Sequence, residues 1–356
     1  MSTADGRVRT ALVGFGHGGR VFHAPLIEHH PGFDLAVVVT PGPERQDAAR
    51  SAYPHAAVVA TLEAALGAVP ALDLAVLATP NATHAPLAHE AIGRGLHVVV
   101  DKPFVVHAAE GDRLARAAHA AGRLLVPFHN RRWDGDFLAV RSMLASGVLG
   151  DVHTFESALE SWKPSITKQW KRDAGPEDGG GVLYDLGPHL IDQALALFGP
   201  AVPVFAELRA FRDSAAAEDS VFLVLRHAGG VTSHLHAGTL VPLARPRFRV
   251  AGSVAGLTVT GTDPQEALLA TGVPPGAIPG VVRDGGQLYV DRGILGRDGQ
   301  AEAFAVGAGD YSSFYDGLAS AIRQSAPVSV AVEDALAVVR IIEEVHASFP
   351  LRRGTR

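Results

Sequence analysis

Between residues 8 and 128 the chain alternates short runs of Val, Leu and Ala with longer stretches of helical periodicity, and this alternation constrains the fold more than any other feature. The runs fall at residues 9–13, 35–40, 74–79, 97–100 and 124–128. Each is apolar on both faces, as a strand covered above and below must be, and the stretches between them are long enough to be crossovers between parallel strands. The expected class is therefore α/β, with a doubly wound parallel sheet in the N-terminal third. At 356 residues the chain has length for a second full core, and the boundary predicted is 1–128 for the first domain and 129–356 for the second.

The turn after the first run reads Gly14-Phe15-Gly16-His17-Gly18-Gly19. A Gly-x-Gly-x-x-Gly spacing is weak alone in a chain with 39 glycines, but here it follows a strand and opens a helix. In that place glycines permit a tight turn, close approach of backbone to a pyrophosphate, and close packing of the helix, whose N-terminus then faces the anion. The N-terminal domain is read as a Rossmann dinucleotide-binding unit, with Gly14, Phe15, Gly16, Gly18 and Gly19 at the cofactor. Pro25 falls where the first helix should still be running and predicts a helix of only two turns. At the end of the second strand, where a carboxylate would bind the ribose hydroxyls of NAD, the chain has Val39-Thr40-Pro41-Gly42-Pro43 with no acid between Asp34 and Glu44. Thr40 and Arg45 are the candidates for a 2'-phosphate, so NADP is favoured. NAD stays open as the alternative, in which Arg45 and Arg50 are only solvated helix residues and NAD is held without the usual acid.

In an open parallel sheet the ligand lies beyond the carboxyl ends of the strands. Thr79, Pro80, Asn81 and His84 follow the fourth strand and are assigned to the cofactor; Asp101-Lys102-Pro103 follows the fifth; His129, Asn130, Arg131, Arg132, Trp133 and Asp134 follow the last. Of these, Arg131 is assigned to the cofactor, Asn130 to the substrate, and Lys102 to both. A charged, aromatic junction such as 131–134 is also what any boundary between domains would show.

The stretch Gly179-Gly-Gly-Val-Leu-Tyr184-Asp185-Leu-Gly-Pro-His189-Leu-Ile-Asp192 carries the remaining chemistry. If Asp185 caps a helix ended by Gly199 and Pro200, then Asp185, His189 and Asp192 share one face at i, i+4 and i+7, while Leu186, Leu190, Ala194 and Leu197 pack inward. Oxidation of an alcohol by hydride transfer needs a base on the hydroxyl. Histidine, with an ordinary pKa of about 6.5, suits that task as His189, and Asp185 would orient its ring or hydrogen-bond a neighbouring hydroxyl. Lysine is ordinarily protonated at neutral pH, so Lys102 is read as a donor that steadies the developing alkoxide. The expectation is that this ammonium and this imidazole serve one alcohol oxygen. Tyr184 and Trp162 are further candidates for the substrate, and residues 162–172, with two tryptophans, for a loop over it.

With these residues in view, the chain strongly resembles the Gfo/Idh/MocA family of NAD(P)-dependent oxidoreductases nearly end to end. The resemblance rests on the glycine motif followed by Phe22-His23-Ala24-Pro25-Leu26, on Thr79-Pro80-Asn81 with His84, on Asp101-Lys102-Pro103, on Asn130-Arg131-Arg132-Trp133-Asp134, and on Asp185-Leu186-Gly187-Pro188-His189. It implies that Lys102, Asp185 and His189 surround the substrate hydroxyl. The Phe-His-Ala-Pro turn and the Asn-Arg-Arg-Trp-Asp junction look most like the branch with NADP-dependent scyllo-inositol dehydrogenases, which implies a cyclic polyol or sugar as substrate. Asp101 departs from the family's usual glutamate, and Trp162-Lys163-Pro164 from a frequent arginine.

The second domain shows partial alternation at residues 152–157, 203–210, 221–226, 231–237 and 248–259, which predicts an α+β domain with an open, largely antiparallel sheet. The resemblance implies that its outer face makes a homodimer or homotetramer. His234 and His236 share a strand face, but no third ligand is in view and no metal is expected. Residues 310–324 and 333–348 read as structural helices. A net charge of -6 without a basic run argues against nucleic acid, and no membrane span or signal peptide is legible, so a cytoplasmic protein is expected. Absence of cysteine removes thiolate metal sites and cysteine nucleophiles. Two other functions fit the same fold: a tightly bound NAD cycling through oxidation and reduction, to give net hydrolysis, epimerisation or exchange, and a non-catalytic sensor of NADP.

Overall fold

The computed structural model describes residues 6–165, 173–212, 215–278 and 292–354. Two compact units emerge: Met1–Asn130 with Gln265–Ile278 and Asp310–Leu336, and Arg131–Pro264 with Pro279–Gly309 and Ala337–Arg356.

The first unit is a six-stranded parallel sheet of β1 (Val8–Val13), β2 (Phe33–Val39), β3 (Ala57–Val59), β4 (Leu74–Leu77), β5 (His97–Asp101) and β6 (Leu125–Phe128), in the order β3-β2-β1-β4-β5-β6. Leu12, Val37, Val38, Val76, Val98 and Val99 are fully buried, which is why these runs read as apolar on both faces. The order reverses between β1 and β4, and the crevice for a ligand opens at their carboxyl ends. The first crossover is longer than the proline suggested. A π-helical turn, Gly18–His23, runs directly into the α-helix Ala24–His29, and Pro25 stands in the first turn of the latter, where its missing N–H costs little.

Two later segments return to this unit, so the first domain is not the continuous stretch 1–128. The helix Ser312–Gln324 presents Phe314 to Phe128, ring centroids 4.8 Å apart, and Tyr315 to Phe33 at 5.3 Å. The pattern of that helix reveals an apolar face but not which sheet the face covers.

The second unit holds a nine-stranded sheet of β7 (Val152–Glu160), β8 (Ala201–Ala210), β9 (Ser220–His227), β10 (Thr232–Gly238), β11 (Phe248–Gly252), β12 (Gly256–Val259), β13 (Arg292–Arg297), β14 (Gln300–Ala305) and β15 (Leu351–Arg353). Their order is β14-β13-β12-β11-β7-β10-β9-β8-β15. Only the β7/β10 and β8/β15 pairs are parallel, so the sheet is mixed and largely antiparallel. Residues 248–259 form a hairpin rather than one strand. In β9 and β10 burial alternates: Leu223, Leu225 and Leu235 face the core, while Phe222, His234 and His236 line the other, partly exposed face. There His236 stacks on Phe222 at 4.6 Å, and no group of three or more possible metal ligands occurs among the described residues. No helix among them is long and apolar enough to cross a membrane.

Candidate active site

The three glycines of the first turn do three different things. Gly14 has φ +102°, and a side chain there would overlap the Ala78 carbonyl, so the turn needs glycine on both counts. A Cβ on Gly19 would overlap the Gly14 carbonyl, and this is where the π-helical turn packs against the strand end. Gly16 alone has nothing within 4 Å of an added Cβ. Its backbone therefore faces open space, as a loop that receives a pyrophosphate requires. Gly18 is constrained from another side, since a Cβ there would sit 2.6 Å from Oδ2 of Asp101. The Phe15 side chain is buried edge-on to Tyr53, centroids 6.2 Å apart, which leaves its backbone as the part available to a ligand.

At the end of β2, Thr40 is buried. Its N–H donates to the Val59 carbonyl at 2.9 Å, its carbonyl accepts from Nε2 of Gln46 at 2.9 Å, and its enclosed hydroxyl oxygen has no hydrogen-bond partner. Arg50 is committed to Asp47 and Gln46 at 2.9 and 3.2 Å. Arg45, in contrast, is exposed on the first turn of the helix Pro43–Ala52 and makes no ion pair or hydrogen bond among the described residues. A guanidinium at a helix N-terminus is unfavourable by itself, because the helix dipole there attracts anions.

After β4 the chain passes through Thr79 and Pro80 into a single 3-10 turn, Asn81–Thr83, with the Thr83 hydroxyl 2.7 Å from that of Thr79. His84 does not face a ligand. It is fully buried between the loop after β4 and the loop after β5, with Nδ1 2.8 Å from the Pro103 carbonyl and Nε2 3.0 Å from the Thr79 carbonyl; the neutral ring donates to one of the two, according to its tautomer. Burial lowers its pKa, with the Asp101 carboxylate and the carbonyl contacts opposing. The loop after β5 presents Lys102, half-buried, whose backbone N–H donates to Oδ1 of Asp101 at 2.7 Å; the Lys102–Pro103 bond is cis.

Behind Asp101 lies a pair whose partnership the sequence did not show. Nδ1 of His23 is 2.8 Å from the Tyr315 hydroxyl, and its Nε2, without a hydrogen-bond partner, is 3.9 Å from Oδ2 of Asp101. Burial pushes the His23 pKa down to about 4 and the Tyr315 phenol well above its usual range. The residues are 292 apart, and no local pattern couples them.

In the second unit the helix expected to start at Asp185 is two helices. Val182–Asp185 ends before Leu186, and Gly187–Phe198 begins with Pro188 in its first turn. Proline has no N–H for the Tyr184 carbonyl, so a continuous helix loses a bond there and restarts. Asp185 thus closes one helix and His189 stands in the first turn of the next, and the shared i, i+4, i+7 face does not exist. Asp192 is not on an open edge either. It is buried and bonded by both oxygens to Arg132, Nε to Oδ2 at 2.9 Å and a terminal nitrogen to Oδ1 at 2.7 Å. His189 is likewise buried, and Asp185 half-buried.

Tyr184 turns inward and stacks on His346 with centroids 5.6 Å apart; burial, with Glu343 and Glu218 nearby, raises its pKa. Asn130 is buried, and Arg131 pairs with the buried Asp134 at 2.9 Å. Trp162 is 57% exposed beside a single bridge to Leu240, and the rest of its expected loop, residues 166–172, lies outside the described residues.

A parallel sheet with a glycine turn open at Gly16 is the architecture of a dinucleotide-binding domain, and the family match makes the chain an NAD(P)-binding oxidoreductase. The chain belongs to the Gfo/Idh/MocA family: residues 8–129 match the oxidoreductase family's NAD-binding Rossmann fold and residues 137–258 the GFO/IDH/MocA C-terminal domain. It is 36% identical to the oxidoreductase YdgJ of Escherichia coli over 338 residues, 94% of each chain. It is 33% identical over 351 residues to IolW of Bacillus subtilis, a scyllo-inositol 2-dehydrogenase (NADP(+)), spanning 97% of this chain and 95% of that one. Among solved structures, the Bacillus subtilis oxidoreductase yvaA superposes with a TM-score of 0.86 at 32% identity, covering 96% of this chain and 95% of the other.

Proposed function

We propose that this protein is an NADP-preferring dehydrogenase or reductase that moves a hydride between the nicotinamide and a secondary alcohol or ketone of a cyclic polyol or sugar, with inositols favoured. The observation that carries the reading is the lysine at the carboxyl end of β5, in a sheet whose glycine turn is open at Gly16. Likeness to IolW supports the substrate class. The uncommitted Arg45, with no carboxylate at the end of β2, supports NADP, and Thr40 would add its hydroxyl only after a local shift, since it is buried. The same support extends to the backbones of Phe15 and Gly16 at the pyrophosphate.

When bound, the cofactor supplies or accepts the hydride. The protein's part is proton management and orientation. His189 takes the hydroxyl proton as the carbon is oxidised and returns it on reduction; Lys102 donates a hydrogen bond to the same oxygen and steadies its negative charge; Asp185 orients the substrate or the imidazole. The apolar side chains on β8, Val202 and Phe205, 55% and 48% exposed, support a homo-oligomer formed through this sheet.

The decisive measurement is the initial rate of NADPH and NADH formation against inositols, aldoses and sugar acids, with the matching ketones in reverse. Turnover of polyols with a higher kcat/KM for NADP is expected. Cofactor binding with no turnover across the panel defeats the reading, and a preference for NAD defeats its cofactor part. Lys102→Ala and His189→Ala should each lose on the order of 10² to 10⁴ in turnover while cofactor binding survives.

A further inference from the structure

The helix Gly187–Phe198 carries two buried polar side chains, Asp192 and Gln193, that the proposed chemistry does not use. Both reach the turn Asn130–Trp133, some sixty residues earlier in the chain. Asp192 takes two hydrogen bonds from Arg132, at 2.9 and 2.7 Å. Nε2 of Gln193 donates to the Arg131 carbonyl at 2.7 Å, and its Oε1 accepts from the buried Arg247 at 2.5 Å. Arg247 in turn donates to the Ser157 hydroxyl of β7 at 2.5 Å and lies over the Phe248 ring at 4.1 Å, so the far end of the chain of bonds is fixed in the sheet.

A buried ion pair is a poor device for stability, because well-packed apolar side chains of similar volume commonly do as well or better. What a two-bond, planar pairing adds is geometry. Asp192 and Gln193 are three and four residues after His189, so on a helix with 3.6 residues per turn they stand about 60° to one side and about 40° to the other of its direction, one turn further on. Anchored together, they stop the helix from rotating about its axis. The sensitivity is high: a rotation of about 10° swings an atom about 6 Å from the axis by roughly 1 Å, and a misplacement of that size at a reacting group costs on the order of 10² in rate.

We infer that Arg132 and Asp192, with Gln193, are positioning residues that set the direction of the His189 imidazole. The inference rests on the proposed role of His189. It is tested with the double variant Arg132→Met/Asp192→Leu, which removes both members of the pair together, so that neither charge is left facing the loss of the other.

The expected result is a folded protein with wild-type affinity for NADPH, substrate KM changed less than threefold, and kcat lowered about 10- to 100-fold. In that background His189→Ala should cost far less than in the wild type, because an imidazole already misdirected has little left to lose. A merely structural pair would lower the thermal midpoint and leave that coupling untouched. Asp192→Asn, nearly identical in shape, decides the matter if the double variant does not fold: about tenfold lower kcat is expected, with Asp192→Glu recovering part of it. Wild-type kcat in either folded variant overturns the inference. If His189→Ala itself keeps full turnover, the fault lies with the proposed function and not with the clamp.

Discussion

The glycine turn and strand ends of the first unit, and the helix pair Val182–Phe198 of the second, solve the same problem by opposite means. In the first, backbone does the positioning: Gly14 and Gly19 let strand and helix close on each other, and Gly16 is left facing outward. Its buried imidazoles are clamps or packing, with burial driving both His23 and His84 toward the neutral form. In the second, side chains hold a helix, through the Arg132–Asp192 pair and the Gln193–Arg247 link, and on the proposed reading that helix directs His189. The difference teaches where each region is fragile. A dinucleotide-type turn fails by steric overlap at a single atom, whereas the helix fails when a buried carboxylate loses the guanidinium paired with it.

That contrast is broken most severely by substitutions that attack each device at its core. Arg132→Ala should destabilise the protein by about 3–5 kcal/mol in urea unfolding, because it takes from the buried Asp192 carboxylate the guanidinium that donates to both its oxygens. Gly19→Ala should cost about 3 kcal/mol or more, since the added methyl has nowhere to go beside the Gly14 carbonyl. If Gly19→Ala is tolerated, backbone closeness is not what holds the first region.

Acid sharpens the comparison further. His23 is neutral in the fold down to about pH 4 but takes a proton near 6.5 when unfolded, so between those values the unfolded chain binds more protons. Stability should be complete above about pH 6.5 and decline as pH falls toward 4, by about 3 kcal/mol from this residue over the whole interval. His23→Asn should flatten that slope in unfolding experiments across pH 4 to 7. The smallest expected effect on stability is at Gly16. Gly16→Ala should change it by less than about 0.5 kcal/mol while NADPH affinity falls at least about tenfold, as cofactor fluorescence would show. Unaltered affinity would mean that the open space above Gly16 is not where the dinucleotide lies.

Legibility followed the same division. The parallel strands, the glycine turn and the lysine after β5 were readable because each is a local pattern, a run of apolar residues or a fixed spacing, that needs no partner elsewhere. The cap rule applied to the acid puts the helix start at Asp185, whereas Pro188 in its first turn makes the helix begin at Gly187, two residues later. His84 follows a strand end, as a ligand-binding residue would, but the carbonyls of Thr79 and Pro103 that face its two nitrogens belong to different loops.

From sequence alone came the alternation of strands and helices, the dinucleotide turn and the family, because periodicity and close backbone approach are written in neighbouring residues. Tertiary structure decided the rest: that the helix at 312–324 closes the nucleotide unit through Tyr315 and Phe314, that His23 finds a phenol 292 residues away, and that Arg132 claims Asp192. Those choices turn on which partner each buried group meets on packing. That is a property of the packed whole, and no window of the chain contains both sides of it.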